Sequence, residues 1–306
     1  MNQYNNLSVS IGDIVFQNPV MTASGTFGYG AEFSNYIELN KLGAIIVKGI
    51  SLEPSPGNSP PRIIETPCGM LNAIGLENVG FNSFLSDKLP FLESLSTKII
   101  VNIYGKTIQE YECLAEKFNE LESIAAIEVN ISCPNVKEGG IAFGTQPLIA
   151  AKVIDLVRKK TSKPVIAKLS PNVTDIADIA RHVESAGADA VSLINTITGM
   201  SVDIHSRKPK LANIFGGLSG PAIKPIAVRM VYQVAQAIKI PIIGIGGIMN
   251  TQDALEFIIA GATAVQIGTA NFIDPNTTIL IIKGLNDFLA HHHINHISEI
   301  IGSIQV

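Results

Sequence analysis

The sharpest chemical signal in the sequence is Asn130-Ile131-Ser132-Cys133-Pro134-Asn135. It follows an apolar run, Ile124 to Val129, and opens into Val136 to Gly144, a glycine-rich stretch able to move as a lid. A cysteine just beyond a strand end is placed to act as base or nucleophile through its thiolate, though an ordinary pKa near ~8.5 leaves only a minority ionised at neutral pH. No histidine lies nearby in sequence to form a Cys–His dyad, which favours proton abstraction over a protease-like attack. Lys48 and Lys168 also close apolar runs. A lysine there suits a Schiff-base nucleophile, an anion anchor or a rim residue with a buried stem. Asparagines offer a donor and an acceptor together, so two lysines among several asparagines suit a planar, anionic, hydrogen-bonding ligand. Gly246-Gly247 and Gly268-Thr269 end two further apolar runs, where backbone N–H groups can approach a phosphate.

These residues need elements to hold them. One unit recurs: an amphipathic stretch, a small-residue stop, then a short apolar run. Leu42-Gly43-Ala44 leads into Ile45 to Lys48, Ala186 to Asp189 into Ala190 to Ile194, and Ala260 to Thr263 into Ala264 to Gly268. Glycine is expected to end each amphipathic stretch in a left-handed cap, and continuous apolar runs suit parallel strands buried on both faces. Lys163 to Lys168 and Ile240 to Ile245 start with or next to proline, and Pro19 to Ala23, Lys98 to Ile103 and Ile124 to Val129 bring the strands to eight. Helical patterns cover Gln109 to Leu121, Pro147 to Lys159 and Ile176 to Ser185. Eight alternating units predict an α/β fold, a (β/α)8 TIM barrel, as one domain over 1–306. Leu7 to Ser10 and Ile14 to Gln17 predict a β-hairpin before the first barrel strand. An open doubly wound sheet is the weaker alternative, because Gly244-Ile245-Gly246-Gly247 lacks the third glycine of a dinucleotide turn. The long connections Gly49 to Asn78 and Asn195 to Gly220 are expected to be active-site loops.

In a barrel of this kind the site lies at the carboxyl ends of the strands. Those ends carry Ser24, Lys48, Asn102, Asn130, Lys168, Asn195, Gly246 and Gly268. A single polar residue after a strand is often only a turn former, but eight such positions on one rim exceed what turns require.

Composition narrows the classes. The chain has 306 residues, 46% hydrophobic and 16% charged, with a formal charge of −4. That is ample for one large core and excludes a disordered chain. The absence of a basic block argues against non-specific nucleic-acid binding. Apolar runs such as Ile238 to Met249 are broken well short of a membrane span of ~20 residues. The first residues show no basic-then-apolar leader, so a cytoplasmic protein is expected. Cys68, Cys113 and Cys133 are too scattered for a disulfide framework or a cluster site, and Cys113 reads as a small core residue. His291-His292-His293 cannot converge on one ion, since consecutive helical residues point about 100° apart. A solvated helix end is expected there and no metal site.

Thr22-Ala23-Ser24-Gly25, Val47-Lys48-Gly49, Asn72-Ala73-Ile74-Gly75-Leu76, Asn130 to Asn135, Asn195-Thr196, Gly244 to Gly247 and Ile267-Gly268-Thr269 stand at the rim or in its long loops. This set resembles that of the class 1 dihydroorotate dehydrogenases, flavoenzymes of pyrimidine synthesis, over nearly the whole chain. The resemblance implies a bound FMN, with its phosphate on Gly246, Gly247, Gly268 and Thr269 and with Gly220 nearby. It implies that Ser24, Lys48, Gly49, Asn102, Asn130, Lys168 and Ile194 contact the flavin ring. Lys48, Asn72, Ala73, Ile74, Gly75, Leu76, Asn130, Asn195 and Thr196 would contact substrate. Cys133 would be the general base at C5 of dihydroorotate, with the C6 hydride passing to flavin N5 and Lys168 stabilising the reduced ring.

Cysteine as base points away from the membrane-bound class 2, which uses serine. Lys137 to Gly144 is similar to the NAD-linked type 1B and not to the fumarate-linked type 1A homodimers. Type 1B implies a homodimer core within a heterotetramer, and a partner subunit carrying FAD and a [2Fe-2S] cluster. One departure is Cys68, where glycine is expected. The enzymatic alternatives are the fumarate-linked type 1A enzyme and a related FMN enzyme acting on dihydropyrimidines, but the latter resembles Cys-Pro-His where this chain has Cys133-Pro134-Asn135. An FMN- or phosphate-binding barrel without activity is the non-enzymatic alternative.

Overall fold

A computed structural model describes residues 6–131, 137–138 and 141–305 of the chain. Cys133 and the rest of 132–136 lie outside the described residues, so the candidate base and the start of the candidate lid have no structural account here.

Eight parallel strands close into a barrel: β1 (Val20–Thr22), β2 (Ala44–Ile46), β3 (Lys98–Ile103), β4 (Ile124–Asn130), β5 (Val165–Lys168), β6 (Ala190–Leu193), β7 (Ile242–Ile245) and β8 (Ala264–Ile267). Each pairs with its sequence neighbours, and β8 pairs with β1 through Val265 and Val20. The expected apolar runs supply all eight, although Lys48 falls just past the end of β2 rather than inside it. Nearly every strand residue is buried, which is why the runs are continuous rather than alternating.

The helices follow from local chemistry. Asp175 caps Ile176–Ser185 by accepting from the N–H groups of Ala177 and Asp178, and Asn250 caps Thr251–Ala260 through Asp253 N–H. Gly187 and Gly261 follow their helices with φ of 94° and 126°, as a left-handed stop requires. Gly43 works differently. It follows a short 3-10 turn, Leu39–Lys41, and its missing Cβ would lie 2.2 Å from the carbonyl oxygen of Asn18. Close backbone approach, not capping, explains that glycine.

Val9–Ile11 and Ile14–Phe16 pair antiparallel as the expected hairpin. The two long loops contain more structure than the sequence suggests. Ile63–Thr66 and Gly69–Asn72 form a hairpin that joins Phe215–Ser219 and Ile197–Met200 in a four-stranded antiparallel sheet. These strands are short, and Phe215–Ser219 at the middle of the sheet carries two adjacent glycines, so no sustained alternating pattern marks them.

Candidate active site at the barrel mouth

One cavity of about 670 Å³ opens at the carboxyl ends of the strands. That is within the usual range for a small-molecule or cofactor site. Every strand contributes to its wall through a residue within two positions of its end: Ser24, Lys48, Asn102, Asn130, Lys168, Ile194 with Asn195, Gly246 and Gly268. Gly49, Thr196, Gly220, Gly247, Thr269 and the whole segment Asn72, Ala73, Ile74, Gly75 and Leu76 line it too. All the described residues expected at the site are therefore brought together. Of the charged residues in its wall three are cations, Lys48, Arg62 and Lys168, and one is a carboxylate, Glu77. Cations therefore outnumber carboxylates in the wall of the cavity, in a protein whose formal charge is −4.

The glycine end of the cavity comes from the turns after β7 and β8 and from Ser219-Gly220. Gly247 has φ +77°, and a Cβ there would lie 2.8 Å from the Gly220 carbonyl oxygen. Two loops meet backbone to backbone at that point. Gly268 has no such constraint: its φ is ordinary and a Cβ would meet Ala23 Cβ only at 3.5 Å. The protein itself does not demand glycine there, so the omitted side chain leaves space in the cavity wall. Thr269 Oγ1 donates to Ser219 Oγ at 2.9 Å. A loop-and-short-helix arrangement after the last two strands is the usual phosphate cradle of such barrels, and the short helix Ala270–Ile273 stands in that place. The cradle is braced from behind by Asp253, which accepts from Met249 N–H at 2.9 Å and from Lys224 Nζ at 2.6 Å. Hydrogen bonds to Asp253 and then to Glu256 hold the Lys224 ammonium above its ordinary pKa.

The middle of the cavity floor is built on Lys168. Its Nζ donates to Ser24 Oγ at 2.9 Å and lies 3.5 Å from Glu128 Oε1. Glu128 is fully buried in β4 and was not anticipated from the sequence. The signal was available: a glutamate inside an apolar strand covered on both faces demands a partner. Asn102 Nδ2 donates to Glu128 Oε1 at 2.6 Å, while Ser192 Oγ and Gln266 Nε2 donate to Oε2 at 2.9 and 2.7 Å. Asn102 Oδ1 and Gln266 Oε1, both buried, have no hydrogen-bond partner among the described residues.

The segment Asn72–Leu76 forms the opposite wall and is held from behind. Leu76 adopts φ 58°, rare for a side chain of its kind, and its carbonyl accepts from Tyr104 Oη at 2.8 Å and Asn78 Nδ2 at 2.9 Å. Asn78 and Ser51 complete the buried network around Tyr104. Asn58 clamps the other side, bonding the carbonyls of Ala73 and Ile74. Asn72 Nδ2 reaches the Gly217 carbonyl at 3.3 Å. Arg62 Nη2 donates to Glu77 Oε2 at 2.5 Å, and Lys48 Nζ lies 3.9 Å from that same oxygen. Arg62 and Glu77 were also not anticipated, since nothing in a proline-rich loop marks them as facing the cavity.

Cys68 sits exposed in the turn before Gly69–Asn72 and is not part of the cavity wall. Cys113 is only half-buried on the helix Ile108–Asn119, so it is less of a core residue than expected. His291, His292 and His293 are exposed at the end of the helix Thr277–His291, the solvated end that was expected. No helix of the described residues is long and apolar enough to cross a membrane.

A family model described as dihydroorotate dehydrogenase matches residues 6–289. Among curated relatives, a dihydroorotate dehydrogenase B (NAD(+)), catalytic subunit, of Geotalea daltonii is 62% identical over 300 residues, covering 98% of each chain. Proteins of the same name from Geotalea uraniireducens and Geobacter metallireducens are 59% and 58% identical, covering at least 97% of this chain and 98% of each relative. The crystal structure of DHODH in complex with ferulenol from Eimeria tenella matches with a TM-score of 0.80 at 23% identity, covering 97% of this chain and 88% of that one. At that identity the likeness speaks to the fold.

Proposed function

Because the chain belongs to the dihydroorotate dehydrogenase family, we propose that it is the catalytic subunit of an NAD-linked, type 1B dihydroorotate dehydrogenase. It oxidises dihydroorotate to orotate with a bound FMN. The observation that carries this reading is the single cavity into which all eight strand ends project their polar or glycine residues.

The residues fit FMN on their own chemistry. The Gly246-Gly247, Gly268-Thr269 and Gly220 backbone suits a phosphate, and the unconstrained Gly268 leaves room for it. Ser24, Lys48, Gly49, Asn102, Asn130, Lys168 and Ile194 would hold the ring. When bound, FMN supplies the acceptor for the hydride leaving C6. The chain does the rest. Lys48, with Asn72, Asn130, Asn195 and Thr196, matches the carboxylate and the alternating N–H and C=O edge of a dihydropyrimidine. The backbone of Ala73 to Leu76 closes over it, held by Tyr104, Asn78 and Asn58. Cys133 would take the C5 proton, which requires its thiolate.

The name carried by the relatives, a catalytic subunit, supports a partner. We assign to that partner the FAD and [2Fe-2S] cluster that pass electrons to NAD+, in a cytoplasmic heterotetramer around a homodimer of this chain. The deciding experiment is the anaerobic visible spectrum of the purified protein before and after dihydroorotate, with dihydrouracil as control. Flavin bands that bleach only with dihydroorotate are expected. Bleaching by dihydrouracil alone would move the reading to a dihydropyrimidine enzyme, and absence of flavin would overturn it.

A further inference from the structure

We propose that Glu128 is the counter-charge that limits how strongly Lys168 acts on the bound flavin, and that it thereby keeps the FMN reduction potential low. This rests on the flavin reading above and concerns a residue that does not itself line the cavity.

Glu128 is 0% exposed and accepts hydrogen bonds from Asn102, Ser192 and Gln266, which stand on β3, β6 and β8. An ion pair this deep is seldom kept for stability, because an apolar side chain of similar size usually serves a core as well. Its placement supplies a different reason. Lys168 Nζ stands between Glu128 Oε1 at 3.5 Å and Ser24 Oγ at 2.9 Å, and both Lys168 and Ser24 line the cavity. The ammonium thus reaches the ligand space, whereas the carboxylate stays buried in the barrel and does not line it.

A lone ammonium in a water-poor cavity would strongly favour the reduced flavin, which carries the added negative charge. An ammonium backed by a carboxylate acts as a dipole of shorter reach. A bound flavin held this way would still accept electrons from a reduced substrate, and would give them up readily to the partner's centres and through them to a weak oxidant such as NAD+. Three polar side chains on three further strands hold the carboxylate in place, so the pair is built into the barrel rather than left to a flexible side chain.

Glu128→Gln isolates the charge. A glutamine side chain is tolerated if the Gln266 amide turns over. Its oxygen, without a partner among the described residues, then faces the new N–H, and the Ser192 hydroxyl accepts instead of donating. The holoprotein is titrated anaerobically against a reference dye, with no dihydroorotate present. The variant is expected to favour reduced over oxidised FMN on the order of tenfold more than wild type, which is the effect of one unit charge at ~10 Å through an effective dielectric of ~20. A two-electron titration reads that as about 30 mV toward positive potential. Ser192→Ala removes a hydrogen bond and no charge, and should titrate with wild type. Reduction by dihydroorotate should persist in Glu128→Gln while reoxidation by a low-potential acceptor slows.

An unmoved midpoint in flavin-loaded Glu128→Gln, or an equal shift in Ser192→Ala, overturns the role of Glu128 alone. Should Glu128→Gln not fold, Glu128→Met is expected to show the same shift, and failure of both to fold would make Glu128 purely structural. Wild-type protein that binds no flavin overturns this inference and the reading beneath it together.

Discussion

Cys133 and the Arg62–Glu77 pair represent two ways in which a residue escapes one line of sight. Cys133 was legible in sequence because a thiol after a strand end is chemically conspicuous, yet it lies outside the described residues. Its role is tested directly: Cys133→Ala should retain FMN and orotate but reduce flavin about 10²–10⁴-fold more slowly, the usual scale for a general base. Stopped-flow bleaching at a wild-type rate would remove it from the mechanism. Arg62 and Glu77 were illegible because only folding brings them into the cavity wall that Lys48 also lines. A carboxylate 3.9 Å from the lysine assigned to an anionic substrate is a liability, and Arg62 cancels it. Arg62→Gln should therefore raise KM for dihydroorotate about fivefold, the upper end for a partly exposed ion pair, with little change in the rate of flavin reduction at saturation. Arg62→Gln with Glu77→Gln should bring KM back toward wild type. If the double variant stays as poor as the single one, Arg62 acts only by clamping the loop through the Asn58 carbonyl, which its Nη1 reaches at 3.3 Å.

Strands and helices were legible to the degree that burial wrote them into the sequence. The eight barrel strands are covered on both faces, so each reads as an apolar run, and the helices Ile108–Asn119, Ile176–Ser185 and Thr251–Ala260 carry their own N-caps. The sheet over the mouth carries no such signature, because Phe215-Gly216-Gly217-Leu218-Ser219 pairs through backbone and packs few side chains. The elements behind the glycine turns show how packing serves the site. Asp253 ties the turn after β7 to the helix Lys224–Ala235. Asp253→Ala leaves Met249 N–H unpaired and should cost about 2 kcal/mol, the range for hydrogen bonds to a charged group. It should also weaken FMN retention, measured by flavin fluorescence released on dilution. Unchanged retention would mean that the turn is rigid without its brace. The Lys224 pKa is raised by Asp253 and Glu256, so its contribution is complete below the ordinary lysine value near ~10.4 and fades as pH rises through the elevated folded value. Thermal melts should show wild type losing more stability than Lys224→Met above that pH, and parallel alkaline profiles would remove the pair from the stability of the cradle.

At the scale of the whole molecule the cavity is a common end-plate for the barrel. Each of the eight strands sends a residue to its wall, and the loops from both sides of the mouth sheet complete it. A ligand seated there touches elements far apart in sequence, so its binding is linked to the cooperative fold and not to one loop. A group that binds only the folded state stabilises it by RT ln(1 + [L]/Kd), about 2.7 kcal/mol at a hundredfold excess over Kd. Removing FMN should therefore lower Tm with a single transition retained, and added FMN should restore it. Inorganic phosphate should restore only part, because it fills the glycine cradle and leaves Ser24, Lys48, Asn102 and Lys168 without the ring. Equal rescue by phosphate and FMN would place the binding energy in the cradle alone. A melt that splits into two transitions on stripping would show that the mouth sheet and loops unfold separately from the barrel. In that case the strand ends would not act as one binding surface, and the alignment of eight polar or glycine ends would have to be explained strand by strand.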